Sequence, residues 1–315
     1  MTAHDLEAAP AIPALRPPTP STVLVQGRLP YALSVLAAVA AALAAGASVL
    51  FPSVLTGTAV ASGNMRGTAL AVLVVGLPVL VTAMVGTARG SPRALVVWLG
   101  TLAYLLYQAV LFCFAVPLNR VFLSYVAYLG LCLWSLVTLL LRTSLDAFVG
   151  RVSPRMPARR LAAVAAALVL ANGYAWLSQI VPATVGDVPG SLLKDTGLLT
   201  NPVFVQDLAV WLPLLAAAAA ATWNRRPWGL LVVGAMLGMF VLESVSIATD
   251  QWFGARAAPL SESASLSAVP AFAALAVITA LPLAWFCRFL IEDAPAPGAR
   301  DGAVVHVDER IGTSS

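Results

Sequence analysis

Residues 228–249 read WGLLVVGAMLGMFVLESVSIAT, and this stretch decides the fold. Glu243 is its single charged residue. Because an α-helix rises about 1.5 Å per residue, about 20 apolar residues cross the roughly 30 Å of hydrocarbon in a bilayer. Apolar residues occupy all sides of the stretch instead of alternating, which is not the pattern of a strand in a membrane barrel. Residues 228–249 are therefore predicted to form a transmembrane helix.

Seven further apolar runs of similar length occur along the chain. They lie near residues 31–51, 68–87, 94–114, 121–141, 161–181, 203–223 and 270–290. Hydrophobic residues make up 60% of the chain and charged residues 10%, far from the balance of soluble domains. The sequence predicts an all-α fold, a polytopic membrane helix bundle of about eight transmembrane helices over residues 31–290. Residues 1–30, rich in Pro and Ala, and residues 291–315 are predicted to be disordered cytoplasmic tails.

The basic residues indicate how the bundle is oriented. Of the 18 Arg and Lys residues, 14 lie in the tails or in loops on the same side as the tails. Basic loops stay in the cytoplasm, so both termini are predicted to be cytoplasmic in a multi-pass protein of the cell inner (plasma) membrane. The same bias accounts for the net charge of +4. The predicted partner is therefore the lipid bilayer, and no nucleic acid is expected.

The chain aligns with itself at an offset of 135 residues without a gap. Residues 68–110 and 203–245 share 12 identities in 43 positions. The alignment pairs Pro78 with Pro213, Pro92 with Pro227, and Gln108 with Glu243. One interpretation is that hydrophobic composition alone makes two helical hairpins similar. The other is a 4+4 internal repeat, parallel because each half has an even number of spans, with a ligand site between the halves. If the repeat is real, we expect Gln108 and Glu243 to face each other across the interface between the halves.

Glu243 is the only carboxylate well inside a predicted span, about 22 Å along the seventh helix. An ionisable group at that depth costs about 2.5–3.5 kcal/mol or more. Its presence indicates either a functional site or a protonated Glu243 that makes a structural hydrogen bond to another helix, with Gln108 as the candidate partner. Other polar residues of the spans fall at the middle or in the outer half. The predicted ligand-binding residues are Glu243, Gln108, Tyr104, Tyr107, Tyr128, Asn172, Asp207 and Arg120. Together they predict a polar pocket open to the outside or to the outer leaflet of the lipid, whereas the cytoplasmic half is apolar.

Two faces of the seventh span are distinguished by spacing. Met236, Met239, Glu243, Ser246 and Asp250 follow a helical 3–4–3–4 spacing and are predicted to share one face. Gly234 and Gly238 form a small-xxx-small pair that lets another helix approach closely. That helix belongs either to the same bundle or to a partner in a homo- or hetero-oligomer.

The start of the sixth span has a recognisable capping signal. Asn201 is a predicted N-cap with Pro202 at the first helical position. Asp207 follows this turn, and we expect it to face Arg120 or Arg66 across the outer mouth of the bundle.

Three segments resemble a group of uncharacterised bacterial, actinobacterial-type multi-pass membrane proteins. They are Arg66-Gly67, the run from Asn201 to Ala209, and Arg226-Pro227-Trp228-Gly229. The resemblance covers the span region and not the tails, and it implies membership of the group without implying an activity.

Several kinds of chemistry are missing from the sequence. The two histidines, His4 and His306, lie in the tails, which excludes histidine-ligated haem and Ser/His/Asp catalysis within the bundle. There is no Gly-x-x-x-x-Gly-Lys-Ser/Thr loop for nucleotide and no His-Glu-x-x-His metal motif. We therefore expect no cofactor and no metal.

Three functions remain open from the sequence alone. The first is a transporter or binder of a small amphipathic or apolar molecule at the pocket near Glu243. The second is an intramembrane enzyme, a cyclase or lipid-modifying transferase, with Glu243 or Asp207 as its catalytic acid or base. The third is a structural subunit of a membrane complex.

Overall fold

A computed structural model describes residues 23–51, 53–186 and 193–292, and 77% of these residues are helical. Eight of their helices are long and apolar enough to cross a membrane, which confirms the eight predicted spans. They are α1 (Leu29–Leu50), α2 (Ala59–Ala88), α3 (Pro92–Phe114), α4 (Phe122–Arg142), α5 (Ala158–Val185), α6 (Pro202–Trp223), α7 (Pro227–Ala257) and α8 (Ala268–Cys287). A short helix, Leu145–Val149, lies between α4 and α5.

Two helices extend well beyond their predicted limits. Helix α2 begins at Ala59, capped by the Thr58 side chain, and it includes Arg66, which was predicted to lie in a loop. Helix α7 continues to Ala257, eight residues past its predicted end. Both extensions occur at the end of the bundle opposite the tails, which we call the distal end. The end where α1 begins and α8 finishes is called the tail end.

The tail end is tied together by backbone hydrogen bonds. Val25 forms an isolated antiparallel bridge with Thr143, and the Gln26 amide donates to the Arg142 carbonyl (2.9 Å). Residues 23–30 are thus ordered parts of the bundle, contrary to the prediction of a disordered segment through residue 30. The remaining tail positions, with both histidines, lie outside the described residues.

Helices α3 and α7 form the buried centre of the bundle. Helix α7 packs along α2, α3 and α8, and glycines allow the closest approaches. A Cβ at Gly67 of α2 would lie 2.5 Å from the Thr249 carbonyl oxygen of α7. On the tail side of α7, Gly234 faces Phe286 and Val96, so helices of the same chain cover the small-residue face. An oligomer through this face remains a prediction.

The two hairpins that align in sequence have the same interruptions in their helices. Helix α2 contains a π-helical turn at Val72–Gly76, and α6 contains one at Asp207–Trp211. Each turn is followed by a Leu-Pro pair. Because proline lacks an amide hydrogen and clashes with the preceding turn, a widened turn before it relieves the helix. The two interruptions therefore lie 135 residues apart, at the same offset as the sequence match.

The lateral packing differs between the first four and the last four helices. Helix α1 packs along α4, whereas α5 and α8 touch at few points. The buried residues of α5 are Ala158, Leu161, Ala162 and Ala165, all near its tail end. The distal half of α5 has no buried residue and diverges from α8, which leaves a gap between the two helices, while Trp176 keeps α5 in contact with α6.

We predict that Gly67→Ala lowers the free energy of unfolding by about 1–3 kcal/mol, since the added methyl group meets backbone atoms of α7. Gly130→Ala is the matched control, because a Cβ there meets nothing within 4 Å. Its helical alanine should leave stability unchanged or raise it by up to about 1 kcal/mol. Unfolding of the purified variants in detergent measures both effects. Equal stability of the two variants would contradict the close approach of α2 and α7.

Candidate functional site

A cavity of about 570 Å³ opens in the distal half of the bundle. Its walls come from the first turns of α2, α6 and α8 and from the later turns of α3, α5 and α7. Its polar lining residues include Asn64, Thr68, Tyr107, Asn172, Trp176, Gln179, Asp207, Glu243, Asp250, Gln251 and Thr279. The volume is within the range of about 300–1,000 Å³ that small-molecule sites occupy.

Glu243 of α7 is held by a residue from α3. The Gln108 side-chain amide (Nε2) donates to Glu243 Oε2 over 2.5 Å, and both residues are buried. The expectation that these two positions face each other is thus confirmed. Gln108 does not line the cavity. It contacts Glu243 from the side away from the cavity. The carboxyl group is therefore held by Gln108 on one side and faces the cavity on the other.

Asp207 of α6 is oriented by a tryptophan. The Trp176 indole N–H of α5 donates to Asp207 Oδ2 over 2.7 Å. The predicted pairing of Asp207 with Arg120 or Arg66 is wrong, because neither arginine has an ion pair among the described residues, and Arg120 is exposed in the α3–α4 loop. The indole satisfies the buried carboxylate in place of a cation.

The first turn of α6 is fixed as its capping signal predicts. The Asn201 side-chain oxygen accepts a hydrogen bond from the Val203 amide (2.9 Å), with Pro202 at the start of the helix. Gln206 then joins α6 to α3 by donating to the Tyr107 carbonyl (3.4 Å). Asp207 begins the π-helical turn, so its side chain is positioned by the cap before it and the interruption after it.

Asp250 is a third carboxylate of the cavity that the sequence had not assigned as a site residue. Because α7 continues to Ala257, Asp250 lies inside the helix and not at its end. It shares the cavity-facing side of α7 with Glu243 and Met239, as the spacing predicted, but Met236 and Ser246 do not line the cavity. The sequence did indicate this extension of α7, because no helix-breaking pair of residues occurs before Ala258-Pro259.

Helix α5 contributes a stripe that the sequence only partly identified. Asn172, Trp176 and Gln179 line the cavity at helical spacing, and of these only Asn172 was predicted to bind a ligand. Nothing in the sequence distinguished Trp176 as a site residue, because tryptophans of membrane proteins are common at the membrane–water interface. Its role depends on the contact between α5 and α6.

The structure thus brings together half of the predicted ligand-binding residues around the cavity. Tyr107, Asn172, Asp207 and Glu243 line it, and Gln108 supports Glu243. The remaining three, Tyr104, Tyr128 and Arg120, do not line it. Tyr104 and Tyr128 are fully buried, and Tyr128 packs against Phe112 at 6.0 Å between ring centres. Tyr128 therefore stabilises the α3–α4 packing, whereas the Tyr104 ring packs against Gly76 of α2.

All charged residues that line the cavity are acidic. Two cations of the distal end have other contacts: Lys194 pairs with Glu262 at 2.7 Å, and Arg256 lies over the Trp252 ring at 5.2 Å. The buried Nε of Arg66 in α2 has no hydrogen-bond partner among the described residues, and Arg66 does not line the cavity. The hydrogen bond that Lys194 donates to Glu262 raises the pKa of Lys194 above its ordinary value. Within the described ranges, no group of three His, Cys, Asp or Glu residues could hold a metal ion.

Comparison of the chain with protein-family models, with curated proteins and with solved structures finds no match. The resemblance to bacterial multi-pass membrane proteins therefore rests on the three sequence segments alone.

We predict that Glu243→Leu lowers the free energy of unfolding by about 1–3 kcal/mol, because it leaves the buried Gln108 amide without an acceptor. Glu243→Gln keeps an acceptor at the same position and should unfold close to wild type. Thermal unfolding in one detergent compares the three proteins. If Glu243→Leu proves as stable as Glu243→Gln, the hydrogen bond to Gln108 does not hold α3 against α7.

Proposed function

We propose that this protein is a transporter or binder of a small amphipathic molecule, and that the molecule occupies the cavity beside Glu243. The eight apolar helices fit an integral membrane protein. The single observation that supports the ligand is the cavity itself, which combines apolar walls with polar groups fixed by neighbouring helices. That combination is typical of small-molecule sites.

The three carboxyl groups of the cavity lower the stability of the bundle, and helix packing does not need them. Placing a carboxylate within a membrane helix costs about 2.5–3.5 kcal/mol or more, and Glu243, Asp207 and Asp250 all lie on helices long enough to span the bilayer. Apolar residues at these positions and at their hydrogen-bonding partners would pack without that cost. Their convergence on one cavity supports a ligand that contacts them.

We further propose that the two aligned hairpins are a duplicated unit and that the ligand site lies between the halves. The matched π-helical turns and the hydrogen bond between the aligned residues Gln108 and Glu243 support the duplication. Ligand sites of repeated membrane folds lie at such interfaces. With both tails in the cytoplasm of a plasma-membrane protein, the cavity opens outward.

An intramembrane enzyme is the second candidate, and one observation favours it. Asp207 and Glu243 line the same cavity, which supplies the pair of carboxyl groups that acid–base chemistry on a lipidic substrate requires. Product formation by the purified protein in detergent supports the enzyme. Movement of the molecule only in sealed vesicles supports the transporter.

A bulky side chain that blocks the cavity tests whether a ligand occupies it. We predict that wild-type protein, extracted in mild detergent from its native membrane, retains a small molecule detectable by mass spectrometry, and that Ala175→Trp loses it. Ala175 lines the cavity on α5. Leu170→Trp is the matched control on the same helix, because Leu170 is 72% exposed and does not line the cavity.

Identical extracts from wild type, Ala175→Trp and Leu170→Trp would contradict a ligand in this cavity. Glu243→Gln, which keeps the hydrogen bond to Gln108, should also lose the molecule if the carboxylate contacts it.

A further inference from the structure

The cavity is lined by carboxyl groups without a basic residue beside them, and this restricts the charge of its ligand. Glu243 is more than nine-tenths buried and lines the cavity, yet its Oε1 oxygen has no hydrogen-bond partner among the described residues. Asp207 and Asp250 line the same space, and no Arg or Lys joins them. In a low-dielectric site a carboxylate attracts a cation far more strongly than in water. A ligand cation would supply the opposite charge that the chain does not.

The walls fit the rest of such a molecule. Tyr107, Trp176, Phe240 and Phe272 line the cavity, and aromatic faces attract cations within about 6 Å of the ring centre. Leu168, Leu111 and Ile247 add aliphatic surface. The site therefore combines negative charge, aromatic rings and an apolar wall, which is the arrangement that recognises a positively charged group attached to a hydrophobic body.

The cavity also has an opening toward the side of the bundle. Its α5 and α8 walls touch at few points, and the cavity-lining residues Ala171, Ala175 and Leu275 are exposed. On the other side of the molecule, α1 packs along α4 and closes the equivalent gap. Since both α5 and α8 are long and apolar enough to span a membrane, the gap between them faces hydrocarbon.

We propose that the cavity takes a lipophilic cation, a hydrophobic amine or quaternary ammonium compound, which reaches Glu243 from the lipid through the gap between α5 and α8. This inference rests on the proposed function and specifies its ligand class. A neutral or anionic ligand of the same size would leave the three carboxylates without a counter-charge.

Two ions of nearly equal size and hydrophobicity but opposite charge test the ligand class. Equilibrium binding of tetraphenylphosphonium and tetraphenylborate is measured on the full chain in phosphatidylcholine nanodiscs, with empty discs as the baseline. We expect tetraphenylphosphonium to saturate one site per chain and tetraphenylborate not to exceed the baseline. Glu243→Gln should weaken phosphonium binding at least tenfold. Glu262→Gln, which removes an exposed carboxylate outside the cavity, should leave it unchanged.

Three results would overturn the cation class. Tetraphenylborate binding that depends on Glu243 would show a site for anions, and equal phosphonium binding by wild type and Glu243→Gln would show partition into lipid alone. Absence of phosphonium binding by a protein that still retains its native molecule would also overturn the cation class, while the proposed function would stand. If the native molecule is absent as well, the proposed function itself fails.

The lateral route is tested by photo-crosslinking in the same nanodiscs. With p-benzoylphenylalanine in place of Leu275, an exposed residue of α8 beside the gap, we expect adducts with lipid that decrease when tetraphenylphosphonium is added. The same amino acid in place of Leu170, on the outer face of α5, should form lipid adducts with or without the cation. No adduct at position 275, or adducts insensitive to the cation, would contradict passage between α5 and α8.

Discussion

The hydrogen bond from Gln108 to Glu243 is the interaction on which the rest of the bundle depends. Within hydrocarbon there is no water to satisfy a polar group, so a buried carboxylate needs partners from the protein. Gln108 meets that need only if α3 and α7 lie side by side. Glycines of α3 and α7 allow this approach, with Gly100 against the Ala235 carbonyl. The most buried helices are therefore the two that share the polar contact.

The two ends of the bundle differ in how firmly they are closed. At the tail end, the Arg93 guanidinium donates to the Cys287 and Leu290 carbonyls, and Arg151 donates to Gly90. The Arg93 contacts join the start of α3 to the end of α8 and the segment after it, and the Arg151 contact joins the α4–α5 connection to the α2–α3 loop. At the distal end, α5 diverges and the cavity stays open. A transport cycle would require the tail-end contacts to break, whereas a binding protein would keep them.

Sequence alone was sufficient for the features set by local composition. Eight spans follow from apolar length, and the Asn201 cap follows from side-chain chemistry. The Gln108–Glu243 contact followed from the offset between the hairpins. The extension of α7 was missed because Asp250 looked like an end of the span, although its carboxylate lies in a cavity and not in lipid. The Trp176–Asp207 contact could not be predicted, because it depends on how two helices cross.

A ligand at this site requires that a space of its size persists between α5, α7 and α8 beside Glu243. A cryo-electron microscopy map of the full chain in lipid nanodiscs would show whether that space exists. We expect the distal halves of α5 and α8 to remain apart, with non-protein density between Glu243 and the gap. A map in which α5 packs along α8, with Trp176 and Phe272 filling the space, would contradict it.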